Sequence, residues 1–188
     1  MPVTTLDPKT ALIVVDLQQG IIPRPLAPPM DGVVANAAAL AEAFRAHGLP
    51  VVLVNVAGMA PGRTEQPRLQ REPPPGWTDL IPELNRQPGD HVVTKHTPGA
   101  FTGTSLEAHL KGLGVTQMVI AGVATSNGVE VSARQAYELG FNVTLAVDAM
   151  TGSSAEAHDY SVTRVFPRIG ETGTTRDIIE LLAKGAHA

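Results

Sequence analysis

Six short apolar runs punctuate the chain, and stretches of helical spacing fall between them. ALIVVDLQ (Ala11 to Gln18), VVLVNV (Val51 to Val56), HVVTK (His91 to Lys95), Met118 to Val123 and NVTLAVDAM (Asn142 to Met150) read as strands, and PRIGET supplies a short sixth. Apolar runs that do not alternate with polar residues suit parallel strands covered on both faces. Val33, Ala37, Leu40, Ala41 and Phe44 share one helical face, with Asp31 as the predicted N-cap and Gly48 near the stop. Asp79 to Asn85 predicts a short helix. Thr104-Ser105-Leu106-Glu107 reads as a capping box for a helix through Leu106, Leu110 and Leu113, stopped by Gly114. Val129, Ala133, Ala136 and Tyr137 mark the next helix and Ala155 to Phe166 another, and Thr174 with Asp177 caps a last one carrying Ile178, Leu181 and Leu182. This alternation predicts an α/β fold, a doubly wound parallel sheet with right-handed crossovers, with residues 1–188 as a single domain.

The stretch Gln117 to Gly140 organises the rest. A strand turns tightly through Ala124-Thr125-Ser126-Asn127-Gly128 and runs straight into a helix, which aims free backbone N–H groups at one spot. Open α/β sheets place their chemistry at that carboxyl edge. Asp16 and Lys95 also fall just past strand ends, so one edge is expected to gather all three segments. A cation beside Asp16 lowers its pKa and burial raises it, which leaves the net direction open. A turn-capping aspartate and a plain structural salt bridge are the alternatives here.

Composition narrows the chemistry. The chain has no cysteine, which removes disulfides, thiolate metal sites and cysteine nucleophiles together. A net charge of −4 argues against nucleic acid as a partner. No apolar run approaches the roughly 20 residues of a membrane span, and MPVTTLDPKT carries no signal-peptide pattern, so a cytoplasmic protein is expected. No G-x-G-x-x-G follows the first strand and no phosphate-binding loop occurs, hence no nucleotide cofactor is expected. The long loop 57–77 is rich in Pro and Arg, the kind that serves function. In it Arg63, Arg68 and Arg71 offer contacts for an anionic substrate and Trp77 a roof, with solvated arginines and an anchoring tryptophan as the alternative. Ser126, Asp148 and His158 follow the triad order of α/β-hydrolases, a second enzyme reading. Outside it, His96 and His158 read as surface or loop residues.

ALIVVDLQ, the isolated lysine of VVTKHTPGAFTGTSL, and VIAGVATSNGVEVSARQAYELGFNVTLAVDAM resemble the isochorismatase-like hydrolase superfamily, in order and spacing, over nearly the whole chain. The resemblance implies a three-layer α/β/α sandwich with strand order 3-2-1-4-5-6 and a cis peptide at Val123-Ala124. Most relatives are cysteine hydrolases with an Asp-Lys-Cys triad. Its acid maps to Asp16, its lysine to Lys95 and its cysteine to Gly128. Glycine has no nucleophile, so covalent amide hydrolysis is not expected. Isochorismatases proper need no thiol: the aspartate protonates a vinyl ether and water completes hydrolysis. That analogy makes Asp16 the general acid, Lys95 its partner and Gly128 the space-maker. Val123, Ala124, Thr125 and Asn127 are the expected substrate contacts, with Phe101 and Trp77 beside them. The chain departs from isochorismatases proper at Ala124, where they carry tyrosine, and at Val56, where they carry glutamine, so isochorismate itself is not implied. The nicotinamidase zinc ligands are missing from VNVAGMAPG, and no catalytic metal is expected. A homodimer or larger assembly is implied, as is a small-molecule substrate. A catalytically silent binding or scaffold member is the remaining alternative.

Overall fold

The computed structural model describes residues 2–65 and 73–185. Six strands, β1 (Thr10–Val15), β2 (Val51–Val56), β3 (His91–Lys95), β4 (Gln117–Val123), β5 (Asn142–Thr151) and β6 (Glu171–Gly173), form one parallel sheet in the order β3-β2-β1-β4-β5-β6. Parallel neighbours need crossovers. Among the described residues these include five α-helices: α1 (Met30–Ala46), α2 (Leu106–Gly112), α3 (Glu130–Glu138), α4 (Ala155–Tyr160) and α5 (Thr175–Gly185).

Residues of β1 alternate between two cores. Ala11, Ile13 and Val15 enter one, and Leu12 and Val14 the other. Both are dry, which is why the strand reads as an unbroken apolar run. On one face α1 and α5 bury Ala37, Leu40, Phe44, Ile178 and Leu182. On the other lie Leu106 and Leu110 of α2, Ala133 and Ala136 of α3, and Val165 and Phe166 beyond α4. The result is the three-layer sandwich with the implied strand order. Among the described residues no helix is long and apolar enough to cross a membrane.

Several element ends differ from the sequence reading, each for a local reason. The helix α1 starts at Met30 after Pro29, so Asp31 lies within its first turn and is not the N-cap, though a carboxylate still suits that end. The capping box at Thr104 does not close, because Glu107 pairs with Lys111 at 2.6 Å; Thr104 Oγ1 instead accepts from the Leu106 N–H at 3.3 Å. The box at Thr174 does close, with Asp177 N–H to Thr174 Oγ1 at 3.2 Å and Thr174 N–H to Asp177 Oδ2 at 3.0 Å. The helix expected over Asp79 to Asn85 shrinks to a 3-10 turn, Pro82–Leu84, closed by a left-handed Asn85. After α4 the chain passes through a π-helical turn, Ser161–Val165, and a 3-10 turn at Phe166–Arg168, where Pro167 has no N–H to continue the ladder. Leu113 and Tyr137, expected on apolar faces, are exposed at helix ends.

Candidate active site

Strand β1 stops at Val15, and Asp16 makes the turn away from the sheet. Its N–H still reaches Val54 O at 2.8 Å, but its φ is +51°, a left-handed conformation that aspartate tolerates better than most residues. The residue is only 5% exposed. Lys95 ends β3, aligned with Val56 of β2. Because β2 separates β3 from β1, the lysine stem, its ion pair and the Asp16 side chain together span about two strand spacings, roughly 9.5 Å between backbones. Its Nζ lies 2.8 Å from Asp16 Oδ2 and also donates to Pro98 O at 2.8 Å and Thr97 O at 3.3 Å. Those three acceptors occupy all three ammonium protons. Asp16 Oδ1 is buried and has no hydrogen-bond partner among the described residues.

Two influences oppose each other on this carboxyl group, and burial wins. Desolvation pushes Asp16 up from 3.8 to about 6, against the Lys95 charge and hydrogen bond that pull it down. A carboxyl group so placed holds its proton over a range in which ordinary aspartates have lost it.

The turn after β4 completes the arrangement. The Val123–Ala124 peptide is cis, and the chain then winds through a π-helical turn, Thr125–Val129, into α3. Ala124 O accepts from Asn127 N at 2.9 Å and Val129 N at 3.1 Å. Among the described residues the Thr125 and Ser126 N–H groups meet no acceptor, as first-turn donors often do not. Gly128 is not in a left-handed conformation, so its backbone does not demand glycine. Space does: a Cβ there would lie 3.0 Å from Val123 O, 3.2 Å from Asp16 Oδ2 and 3.3 Å from Val15 Cγ1. Asp16, Lys95 and Gly128 thus converge, with the acid packed so closely against Gly128 that a side chain there would crowd its Oδ2.

The other expected site residues divide. Val123, Ala124 and Thr125 form the wall of the turn, and Asn127 stands exposed on it. Trp77 lies against Gly20, where a Cβ would overlap its indole, just beyond Asp16 in the chain. Phe101 is turned into the core, 6.3 Å from the Phe141 ring. Arg63 is exposed on the loop, whereas Arg68 and Arg71 lie outside the described residues. Among the described residues no three His, Asp or Glu side chains gather as metal ligands would.

The serine-hydrolase triad is not assembled. Asp148 Oδ1 accepts from Thr175 N–H at 2.7 Å and its hydroxyl at 2.9 Å, holding the start of α5. It sits within β5, which continues to Thr151, and not at a strand end. Ser126 faces a groove with Arg134, Tyr160 and Arg164. His158 is buried, contrary to its reading as a surface residue, and its Nδ1 is 2.8 Å from Thr125 Oγ1. His96 is exposed as expected.

Supporting residues escaped the sequence reading. Gln18 Nε2 donates to Val56 O and Trp77 O, both at 3.1 Å, while its Oε1 accepts from Val56 N at 2.7 Å, so one buried amide ties β2 to the Trp77 segment. Ser132 Oγ donates to Gly128 O at 2.6 Å and accepts from Ala100 N at 3.0 Å. Gln135 accepts from Phe101 N at 3.2 Å and donates to Thr102 Oγ1 at 2.6 Å. Helix α3 therefore grips the loop whose carbonyls anchor Lys95. A polar residue on the buried side of an otherwise apolar helix face was the available signal.

Comparison with known proteins places this geometry. The model of the isochorismatase domain matches residues 10–177. An uncharacterized isochorismatase family protein of Bacillus subtilis, YwoC, is 39% identical over 180 residues, covering 92% of this chain and 93% of the relative. The solved structure of an isochorismatase family protein from Burkholderia thailandensis superposes with a TM-score of 0.91 at 41% identity, covering 95% of this chain and 98% of that one. N-carbamoylsarcosine amidase from Thermoplasma acidophilum superposes at 0.74 with 28% identity, over 89% and 96% of the two chains. Family match, sequence and fold agree across nearly the full length, and the chain belongs to the isochorismatase family of hydrolases.

Proposed function

We propose that the protein is a cofactor-free hydrolase that cleaves a vinyl ether or related bond in a small anionic metabolite by proton transfer from Asp16. The observation that carries this reading is the Asp16 carboxyl group itself, buried against Gly128 with Oδ1 unpartnered among the described residues, where burial raises its pKa to about 6. Because Oδ2 accepts from Lys95, the transferable proton rests on Oδ1. Lys95, its protons already committed, orients the acid and limits the rise in its pKa. The proton passes to the terminal vinyl carbon, and water adds to the oxocarbenium carbon that results. The hemiketal then collapses to a ketone and an alcohol as a proton returns to Asp16.

With no cysteine anywhere in the chain, a thioester route is closed, and glycine at 128 keeps a side chain from crowding the Asp16 carboxyl group. The free Thr125 and Ser126 N–H groups suit an anionic group held at the start of the helix. Val123, Ala124, Thr125 and Asn127 line its approach, Trp77 borders it and Arg63 meets its charge. The same reading has the enzyme in the cytoplasm as a homodimer or larger assembly, acting without nucleic acid or membrane; sedimentation gives the assembly directly.

The test is a panel of carboxylate-bearing vinyl ethers and small amides, run with wild-type and Asp16→Asn protein. Turnover of a vinyl ether that the substitution abolishes supports the reading. Asp16→Asn protein turning over at the wild-type rate removes it. Melting shifts with these compounds and no product formation favour a silent binding protein.

A further inference from the structure

Among the described residues the mechanism leaves one buried titratable side chain unused. His158 is 8% exposed, belongs to α4, and places Nδ1 2.8 Å from the hydroxyl of Thr125, which is wholly buried. We propose that His158 is a positioning residue: through Thr125 it fixes the turn that seats Gly128 against Asp16. This deepens the acid-catalysis reading and rests on it.

Both ends of the hydrogen bond are held by independent structure. Ser154 Oγ caps the start of α4 by accepting from Ala157 N at 3.2 Å. Just past its end, Ser161 Oγ donates to Glu130 Oε2 at 2.7 Å, tying α4 to the first residue of α3. His158 therefore stands on a short arm pinned at both ends, and a pinned donor or acceptor locates its partner better than a mobile one. Thr125 is the first residue of the π-helical turn. It follows Ala124, whose carbonyl takes the Asn127 and Val129 N–H groups. Rotation at Thr125 thus displaces the backbone on both sides of Gly128, which lies close to the Asp16 carboxylate.

His158 is suited to this task at working pH. Burial holds its pKa below the ordinary 6.5, with Asp159 opposing, so the ring stays neutral and keeps one nitrogen as acceptor and one as donor. Its Nδ1 meets Thr125, and Asp148 is engaged with Thr175, so the ring lacks the carboxylate partner a serine triad would place at that nitrogen.

The experiment follows the Asp16 carboxyl carbon by 13C NMR through a pH titration of substrate-free protein, in wild type, His158→Ala, His158→Asn and Thr125→Val. If His158 seats the turn, its loss admits water beside Asp16. The His158→Ala midpoint then falls by about one pH unit toward the ordinary value, since desolvation is what raised it. Thr125→Val, equal in volume, gives the same direction. His158→Asn, whose amide reproduces the Nδ1 contact, holds the wild-type midpoint. An unchanged midpoint in His158→Ala overturns the proposal even if the melting temperature drops. Should His158→Ala fail to fold, Thr125→Val decides on the same criterion. No substrate enters the titration. Asp16→Asn protein with undiminished turnover removes the acid mechanism, whereas the titration reads the His158 link alone, so the two failures are distinguishable.

Discussion

Replacing Lys95 by methionine separates the two forces acting on Asp16. Methionine is close to lysine in length and removes only the charge and its hydrogen bonds. The wild-type carboxyl group sits at about 6 because burial outweighs the ammonium 2.8 Å away. An opposite charge at that range lowers a carboxyl pKa by about 1–3 units, so its removal raises the Asp16 midpoint by that amount. A general acid works while protonated. In wild type kcat/KM therefore falls as pH rises through about 6, and in the variant that descending limb moves upward by about 1–3 pH units.

Stability reports the same change with a worked sign. The variant's carboxyl group binds its proton more tightly when folded than the wild-type group does. The variant accordingly loses a further ~1.4 to 4 kcal/mol relative to wild type between pH 5 and pH 9, at 1.36 kcal/mol per pKa unit. At pH 5 what remains is the loss of partner for the Thr97 and Pro98 carbonyls, about 1–3 kcal/mol each if no water replaces the ammonium. Urea unfolding at the two pH values measures both parts. A stability gap between variant and wild type that is equal at pH 5 and pH 9, with an unmoved pH–rate limb, refutes the opposition of burial and charge on Asp16.

Other substitutions test neighbouring parts. Gly128→Cys asks only that neighbours 3.0 to 3.3 Å away yield slightly, so it costs about 1–2 kcal/mol in urea unfolding; a loss above about 4 kcal/mol means those neighbours cannot yield. Ser132→Ala strands the buried Ala100 N–H and lowers stability by about 1–3 kcal/mol, read the same way, while a change under about 0.5 kcal/mol shows the bridge is unimportant. For wild type, the folded Asp16 midpoint near 6 lies above the unfolded 3.8. The stability this group contributes is full below pH 3.8 and is lost as pH rises through 6, about 3 kcal/mol in all; unfolding at pH 4 and pH 7, with Asp16→Asn as reference, isolates it.

The sheet was legible because an apolar run that fails to alternate, at strand length, needs an apolar neighbour on each side, and a strand buried on both faces provides it. Strand ends then placed Asp16 and Lys95 at one edge without any knowledge of contacts. Strand order came from resemblance, since periodicity does not say which strand neighbours which. The direction of the Asp16 shift was beyond reach because it depends on how completely Leu17, Val15 and the turn exclude water, a property of packing. His158 was misread for a similar reason. A histidine in AEAHDY looks solvated until the crossover lays α4 over a threonine 33 residues earlier. Gln18 and Ser132 bond to backbone groups 32 to 59 residues away in sequence, or across a helical turn, and only the fold brings those within reach. Caps fared unevenly because one glutamate had a lysine four residues on to prefer.

The most direct measurement is the carboxyl 13C titration of Asp16 in the wild-type protein without ligand. A midpoint near 6 means the enzyme carries a ready proton in a dry site, as general-acid cleavage requires. A midpoint at or below 3.8 contradicts the account, because the carboxylate is then an ordinary ion-pair partner of Lys95 with no proton to give.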